Sequence, residues 1–164
     1  MEILSQTMLF TGTYQAKMDT KGRVFLPSDY RRQLHEAGSG IVLRRDLFQP
    51  CLVVSTRQVW LDEAARLRAC LNGWNRHEAQ VLRRFMADVE SVSLDASGRL
   101  LLPRRLQDFC RIDREVSFLG SYDRIEVWST ALLEATLYDD NRYAEAVEQL
   151  MGTAHTEPAA TPTP

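Results

Sequence analysis

Asp19-Thr20-Lys21-Gly22-Arg23-Val24-Phe25-Leu26-Pro27 decides the fold, because it returns 76 positions later as Asp95-Ala96-Ser97-Gly98-Arg99-Leu100-Leu101-Leu102-Pro103. Asp, Gly, Arg, Leu and Pro coincide without a gap, and Val24 and Phe25 face Leu100 and Leu101. Beyond the proline, Tyr30 and Leu34 sit where Leu106 and Cys110 do, and Ile41-Val42-Leu43 loosely matches Val116-Ser117-Phe118-Leu119. Self-similarity at a fixed spacing marks a duplicated structural unit, so the chain reads as two copies of one small unit.

Working outward from the repeat, Tyr14, Ala16 and Met18 alternate with Gln15 and Lys17 at the strand period. Asp-x-x-Gly then supplies a tight turn whose glycine takes a positive φ, and Val24-Phe25-Leu26 returns, which predicts a β-hairpin. Pro27 and Pro103 end the returning strands, since proline brings no N–H to a ladder, and Ser28 is placed to cap a short helix with Tyr30 and Leu34 on one face. Further strands are predicted near 41–44, 51–55, 116–119 and 124–128. Between the copies the period changes: Trp60, Ala64, Leu67 and Leu71 recur at helical spacing, and Asn72-Gly73 stops that helix. Asn75 and Glu78 form a reciprocal cap for a second helix through Val81, Leu82, Phe85 and Met86. A last helix is predicted from about Thr130 to Leu150 with Leu133, Leu137 and Val147 inward, before a disordered Pro-rich end. A unit of about 45 residues cannot bury enough apolar surface to stand alone, so the copies should share one core by interleaving strands around a pseudo-two-fold axis. The fold class is α+β, in one domain.

Composition narrows the function. The chain has 164 residues, 45% of them hydrophobic and 26% charged, with a net charge of -2, which excludes long disorder, a collagen-like fibre and a bare basic tail. No stretch approaches the roughly 18 apolar residues of a membrane helix, and Met1-Glu2-Ile3-Leu4-Ser5-Gln6-Thr7 lacks the basic flank and apolar block of a signal peptide, so a cytoplasmic protein is expected. Cys51, Cys70 and Cys110 are odd in number and lack C-x-x-C spacing, which fits reduced thiols filling a core rather than a disulfide framework or a thiolate zinc site. Residues 134–164 carry six acids against Arg142 alone, leaving residues 1–133 with a charge of +3 and a bias toward polyanions. Eighteen of the twenty cations are arginine, the side chain suited to bidentate contacts with phosphate or guanine.

The cations concentrate near the first turn, where Lys17, Lys21, Arg23, Arg31 and Arg32 stand against Asp19 and Asp29. One reading aims this surface at DNA, with cations on phosphates and arginines on guanine edges; the other is a solvated turn whose Asp19 and Arg23 pair with each other. An enzyme reading of Asp19 and Asp95 as an aspartic-protease dyad fails, because such a dyad shares one proton in a site without a strong neighbouring cation, and an Arg follows each motif here. His35, His77 and His155 are scattered, no Gly-rich phosphate loop or G-x-S-x-G occurs, and no catalytic residue, metal or cofactor is expected. Trp60 and Trp128 have the spacings of core residues. A third class is an oligomeric protein-interaction or antitoxin-like module without specific DNA binding, its contacts made by the 57–71 and 76–88 helices.

The two Asp-x-x-x-Arg motifs, Met8-Leu9-Phe10-Thr11-Gly12, Lys21-Gly22-Arg23-Val24-Phe25-Leu26-Pro27-Ser28-Asp29-Tyr30-Arg31, Gln49-Pro50-Cys51-Leu52 and Ser97-Gly98-Arg99-Leu100-Leu101-Leu102-Pro103 resemble the MraZ family of bacterial transcriptional regulators of the division and cell-wall gene cluster. The likeness runs from about Met8 to Trp128. It implies a duplicated, AbrB-like swapped-hairpin β-barrel, assembly of the chain with itself into rings, and binding of double-stranded promoter DNA that carries repeated boxes, in the cytoplasm and associated with the nucleoid. It makes Arg23 the leading DNA contact, with Lys21 and Lys17 beside it and Arg99 on the matching motif; Arg31, from the cluster of cations near the first turn, joins the candidate set, and Asp19, Gly22, Asp95 and Gly98 form the turns. The organisation that follows is a first repeat at 8–56, a helical linker at 57–88, a second repeat at 89–130, a C-terminal helix at 131–151 and a disordered tail at 152–164. Residues 1–7 precede the residue at which family members begin, as a misassigned start or an added arm, and the acidic stretch from Glu134 has no counterpart in the family pattern.

Overall fold

Gly22 and Gly98 take φ of 82° and 85°, the left-handed region that a β-carbon penalises, and so close two equivalent four-residue turns. Gly22 N donates to Asp19 O at 3.1 Å and Gly98 N to Asp95 O at 2.9 Å. The computed structural model describes residues 8–152. In it the strands flanking these turns, β1 (Thr13–Lys17), β2 (Arg23–Phe25), β5 (Val89–Val92) and β6 (Arg99–Leu101), alternate with β3 (Ile41–Arg45), β4 (Leu52–Thr56), β7 (Glu115–Ser121) and β8 (Arg124–Ser129).

The hairpin predicted between β1 and β2 does not form as a ladder. One bond, Asp19 N to Arg23 O at 2.8 Å, closes the base of the turn, after which the two strands part. Strand β1 pairs antiparallel with β7 of the second copy, β5 pairs with β3 of the first, and β2 pairs with β6. The six-stranded sheet runs β1-β7-β8-β4-β3-β5, and exchanging the copies reproduces that order in reverse. The two-fold passes between Val24 and Leu100, which are partners at the centre of the β2–β6 ribbon. Local pairing within one copy would leave its apolar strand face half covered; exchange lets Val24, Leu26, Leu100 and Leu102 bury together with Tyr30, Leu34, Leu106, Phe118 and Val127 in one cluster. No closed barrel is found among the described residues: β1 and β5 stand at the two ends of the sheet order.

Helices α1 (Ser28–Ala37) and α4 (Arg104–Cys110) follow the two prolines. Pro27, not Ser28, holds the N-cap position, and no side chain caps the helix; the chain enters through an extended proline at φ -51° and ψ 139°. The Tyr30 hydroxyl donates to Thr11 O at 2.6 Å, and its ring meets Phe10 and Tyr14 edge-on, fastening α1 beneath the start of β1. Helices α2 (Arg57–Ala69) and α3 (Arg76–Ala87) lie between the copies in sequence, with the Trp60 and Phe85 rings stacked at 6.2 Å. The Asn75 side chain caps α3 by accepting from His77 N and Glu78 N, but Glu78 reaches back to Asn72 N instead of returning to Asn75. Trp60 and Trp128 are buried, while Cys70, expected in a core, is exposed at the C-cap of α2.

The single helix predicted from about Thr130 to Leu150 is two, α5 (Thr130–Thr136) and α6 (Asp140–Gly152). Asp139 breaks it by accepting from Arg142 N at 2.9 Å, the geometry of a fresh N-cap. Leu133 is buried as predicted; Leu137 and Val147 are exposed. The described residues from Glu134 to Gly152 belong to a second compact unit. The predicted Pro-rich disorder and residues 1–7 lie outside the described residues. Among the described residues no helix is long and apolar enough to cross a membrane.

Candidate nucleic-acid interface

Each turn is organised by its own aspartate. Asp19 Oδ1 accepts from Lys21 N and Arg23 N, both at 2.9 Å, while Oδ2 takes Arg23 Nε at 2.8 Å. Asp95 repeats this on Ser97 N, Arg99 N and Arg99 Nε at 3.0, 2.9 and 2.7 Å. The backbone N–H of the following arginine, more than any other group, holds each carboxyl below the usual carboxylate range. Both aspartates are therefore ionised loop organisers, the opposite of a dyad sharing one proton. The pairing of Asp19 with Arg23 is present, and it aims the guanidinium rather than hiding it: about a third of the Arg23 side chain stays exposed.

The antiparallel ribbon brings the two turns together. Arg99 Nη1 lies 3.8 Å from the same Asp19 Oδ2 that binds Arg23, so two guanidiniums from different copies share one carboxylate oxygen. Alternation along the ribbon sends Val24 and Leu100 into the core and Arg23, Phe25, Arg99 and Leu101 to the outer face. Phe25 and Leu101 are 55% and 54% exposed there, and the Arg99 guanidinium lies 5.8 Å from the Phe25 ring centroid. The ladder continues past its ends, with Leu102 N donating to Gly22 O at 2.8 Å and Leu26 N to Gly98 O at 3.2 Å. Each turn is thus fastened to the returning strand of the other copy.

The remaining cations fall unevenly. Lys21 is exposed at the tip of the first turn and Lys17 at the end of β1, opposite Glu115 in register; neither enters a salt bridge among the described residues. Their equivalents in the second copy are Ser97 and Ser93. Arg31 does not stand beside the first turn. From α1 it crosses to the second, donating to Ser97 O at 3.4 Å and covering Gly98, and its buried Nε has no hydrogen-bond partner among the described residues. Its symmetry mate Gln107 covers Gly22 and donates to Leu102 O at 2.6 Å. Gln107 was missed in the sequence because the repeat weakens after the proline. The exposure of Phe25 and Leu101 was readable from the alternation of the strands they occupy. Arg32 is turned aside, paired with Asp29 and Glu36 along α1.

Elsewhere, Asp46, Cys51 and Glu126 bring their ligand atoms within 4.8 Å of one another. The protein's own donors occupy both carboxylates: Asp46 accepts from Phe48 N and Gln49 N, and Glu126 from the Trp128 indole. Burial pushes the Cys51 thiol pKa up, away from the thiolate a metal requires.

Two exchanged repeats presenting a cation-tipped β-ribbon define a duplicated ribbon protein, and comparison with known proteins gives the family. A family profile described as "MraZ protein, putative antitoxin-like" matches residues 9–81 and again 85–160, so the acidic stretch from Glu134, expected to lack a counterpart in the family, falls within the match. A transcriptional regulator MraZ of Phocaeicola vulgatus is 39% identical over 147 residues, covering 89% of this chain and 96% of that one. Relatives of the same name from Bacteroides thetaiotaomicron, 36% identical over 87% of this chain and 92% of that one, and Proteus mirabilis, 32% identical over 80% and 87%, extend the match. The chain belongs to the MraZ family.

Proposed function

We propose that this protein is a sequence-specific, double-stranded-DNA-binding transcription regulator and not an enzyme, with the outer face of the β2–β6 ribbon as its reading surface. One observation carries the reading: Arg23 and Arg99 converge on Asp19 at the ribbon face, with Lys21 exposed at the turn tip and Lys17 at the end of β1, neither of them in a salt bridge among the described residues. A two-stranded ribbon fits the major groove, and an aspartate-oriented guanidinium is suited to guanine O6 and N7, while lysines serve phosphates. Arg23 leads, Lys21 and Lys17 flank it, and Arg31 and Arg99 serve the second turn. The relatives' name, transcriptional regulator MraZ, supports the same reading.

The exchange of strands between copies supports an AbrB-like swapped-hairpin character for the repeats. One ribbon of three paired positions is a small footprint, so specific affinity comes from several subunits of a homo-oligomer, a ring, meeting repeated boxes in the promoter of the protein's own division and cell-wall gene cluster, in the nucleoid. The test is a gel shift of the protein on the DNA upstream of its own coding region at low and at physiological salt. Binding through about four to six cations weakens with a logarithmic slope near -0.9 per phosphate neutralised, whereas an antitoxin-like protein contact through the apolar helix faces hardly changes. Arg23→Ala abolishes the specific shift while leaving melting and assembly nearly unchanged, because the side chain lies outside the core. A variant that shifts the promoter as well as the wild type would overturn the assignment of Arg23.

A further inference from the structure

Phe25 and Leu101 are each more than half exposed although their neighbours Val24, Leu26, Leu100 and Leu102 are fully buried. They occupy the same face of the ribbon as Arg23 and Arg99, with Lys21 exposed at the tip of the first turn and Arg31 reaching the second at Ser97 O. Large exposed apolar side chains set between arginines have an unmet hydrophobic demand, and the cations beside them, with Lys21 in no salt bridge among the described residues, favour a polyanion as the partner that meets it. The apolar group that a polyanionic duplex offers in its major groove is the thymine 5-methyl. On the basis of the DNA reading above, we infer that Phe25 and Leu101 are specificity-determining residues that pack on thymine methyl groups while the arginines beside them read guanine.

The spacing fits. Arg23 and Phe25 are two residues apart on one strand, as are Arg99 and Leu101, a separation of about 6.8 Å that matches the rise of about two base pairs. The two-fold sets Arg23 opposite Leu101 and Phe25 opposite Arg99, so each arginine has an apolar neighbour both along its own strand and across the ribbon. The reading element is therefore a square of two guanidiniums and two apolar tips. It recognises guanine and thymine within about two base pairs of each other.

The experiment enriches duplexes from a randomised pool with the full-length protein. Every thymine of an enriched site is then replaced, one at a time, by deoxyuridine, which removes the methyl and nothing else. Affinity is expected to fall about fourfold at the contacted positions, the effect of exposing one buried methyl-sized group. Phe25→Ala is expected to erase the loss at one set of positions and Leu101→Ala at another. Enriched sites without thymine, or equal affinity for thymine and uracil duplexes at every position, overturn the inference and leave the DNA reading standing. Failure to enrich any duplex overturns both. If Phe25→Ala weakens thymine and uracil duplexes alike, the ring only positions Arg99 and the inference fails for that residue. If either variant instead changes the sedimentation of the free protein and keeps the full thymine–uracil difference, the face belongs to a second subunit and the inference fails.

Discussion

Adding one methyl to each turn glycine separates the two halves of this pseudo-symmetric molecule. Gly22→Ala and Gly98→Ala both place a β-carbon in the left-handed region, at φ of 82° and 85°, a common cost of about 1–2 kcal/mol. Their surroundings differ. A β-carbon on Gly22 lies 2.6 Å from Gln107 Nε2 and 2.9 Å from the Leu102 carbonyl oxygen, which is ribbon backbone and cannot swing away. Gln107 must leave, breaking its buried 2.6 Å bond to that carbonyl, for about 1–3 kcal/mol more. The three atoms nearest a β-carbon on Gly98 all belong to Arg31, with Cδ at 2.8 Å, and that flexible side chain is released by giving up one 3.4 Å bond to Ser97 O. Gly22→Ala should therefore lose roughly 2–5 kcal/mol and Gly98→Ala roughly 1–2 kcal/mol. Urea unfolding of both variants beside the wild type measures the difference, with m unchanged if only the folded state is perturbed. A loss for Gly98→Ala equal to or greater than that for Gly22→Ala would refute the reasoning, because it would mean that Arg31 is held as firmly as the backbone.

Other perturbations test the carboxylates, the ribbon and the thiols. Since the folded Asp19 and Asp95 titrate below their unfolded values, their stabilisation is complete above about pH 4 and is lost as pH falls through the folded values. A melting series across that range should show a shallower acid decline in an Asp19→Asn, Asp95→Asn double variant than in the wild type. Leu26→Ala or Leu102→Ala should cost about 2–5 kcal/mol by leaving a cavity, and Leu101→Ala, one position away and half exposed, less than about 0.5 kcal/mol; chemical denaturation resolves the two. A thiol reagent should modify Cys70 in the native protein while sparing Cys51 and Cys110, whose burial pushes both thiol pKa values up, that of Cys110 to about 12; all three should react after unfolding.

The sequence carried what short-range chemistry specifies. Asp-x-x-Gly-Arg is legible because turn, glycine φ and arginine position depend on neighbours within five residues, and Pro27 and Pro103 end strands wherever they stand. Partner choice was not legible. Whether β1 joins β2 or β7 depends on how two distant apolar faces are best covered, and no local signal encodes it. The same limit hid Arg31: helical spacing puts it on α1, but its company at Gly98 exists only because the halves interlock. Asp139 is the reverse case, a cap residue inside a long helical period whose local bond to Arg142 prevailed over the periodicity. Cys70 was misjudged because cysteine's average burial says little about a residue at a helix end.

Because β2 and β6 cross at a two-fold axis yet belong to one polypeptide, the molecule behaves as a dimer whose subunits have been tethered. In an untethered dimer any substitution appears at both ends of the axis, so the two tips stay identical and favour palindromes. Covalent fusion lifts that obligation. Here Lys21 faces Ser97 across the axis and Arg31 faces Gln107, while the residues beneath the ribbon stay alike. Such a scaffold can engage an asymmetric stretch of a polymer in a single polarity, and so give direction to an array built from many copies.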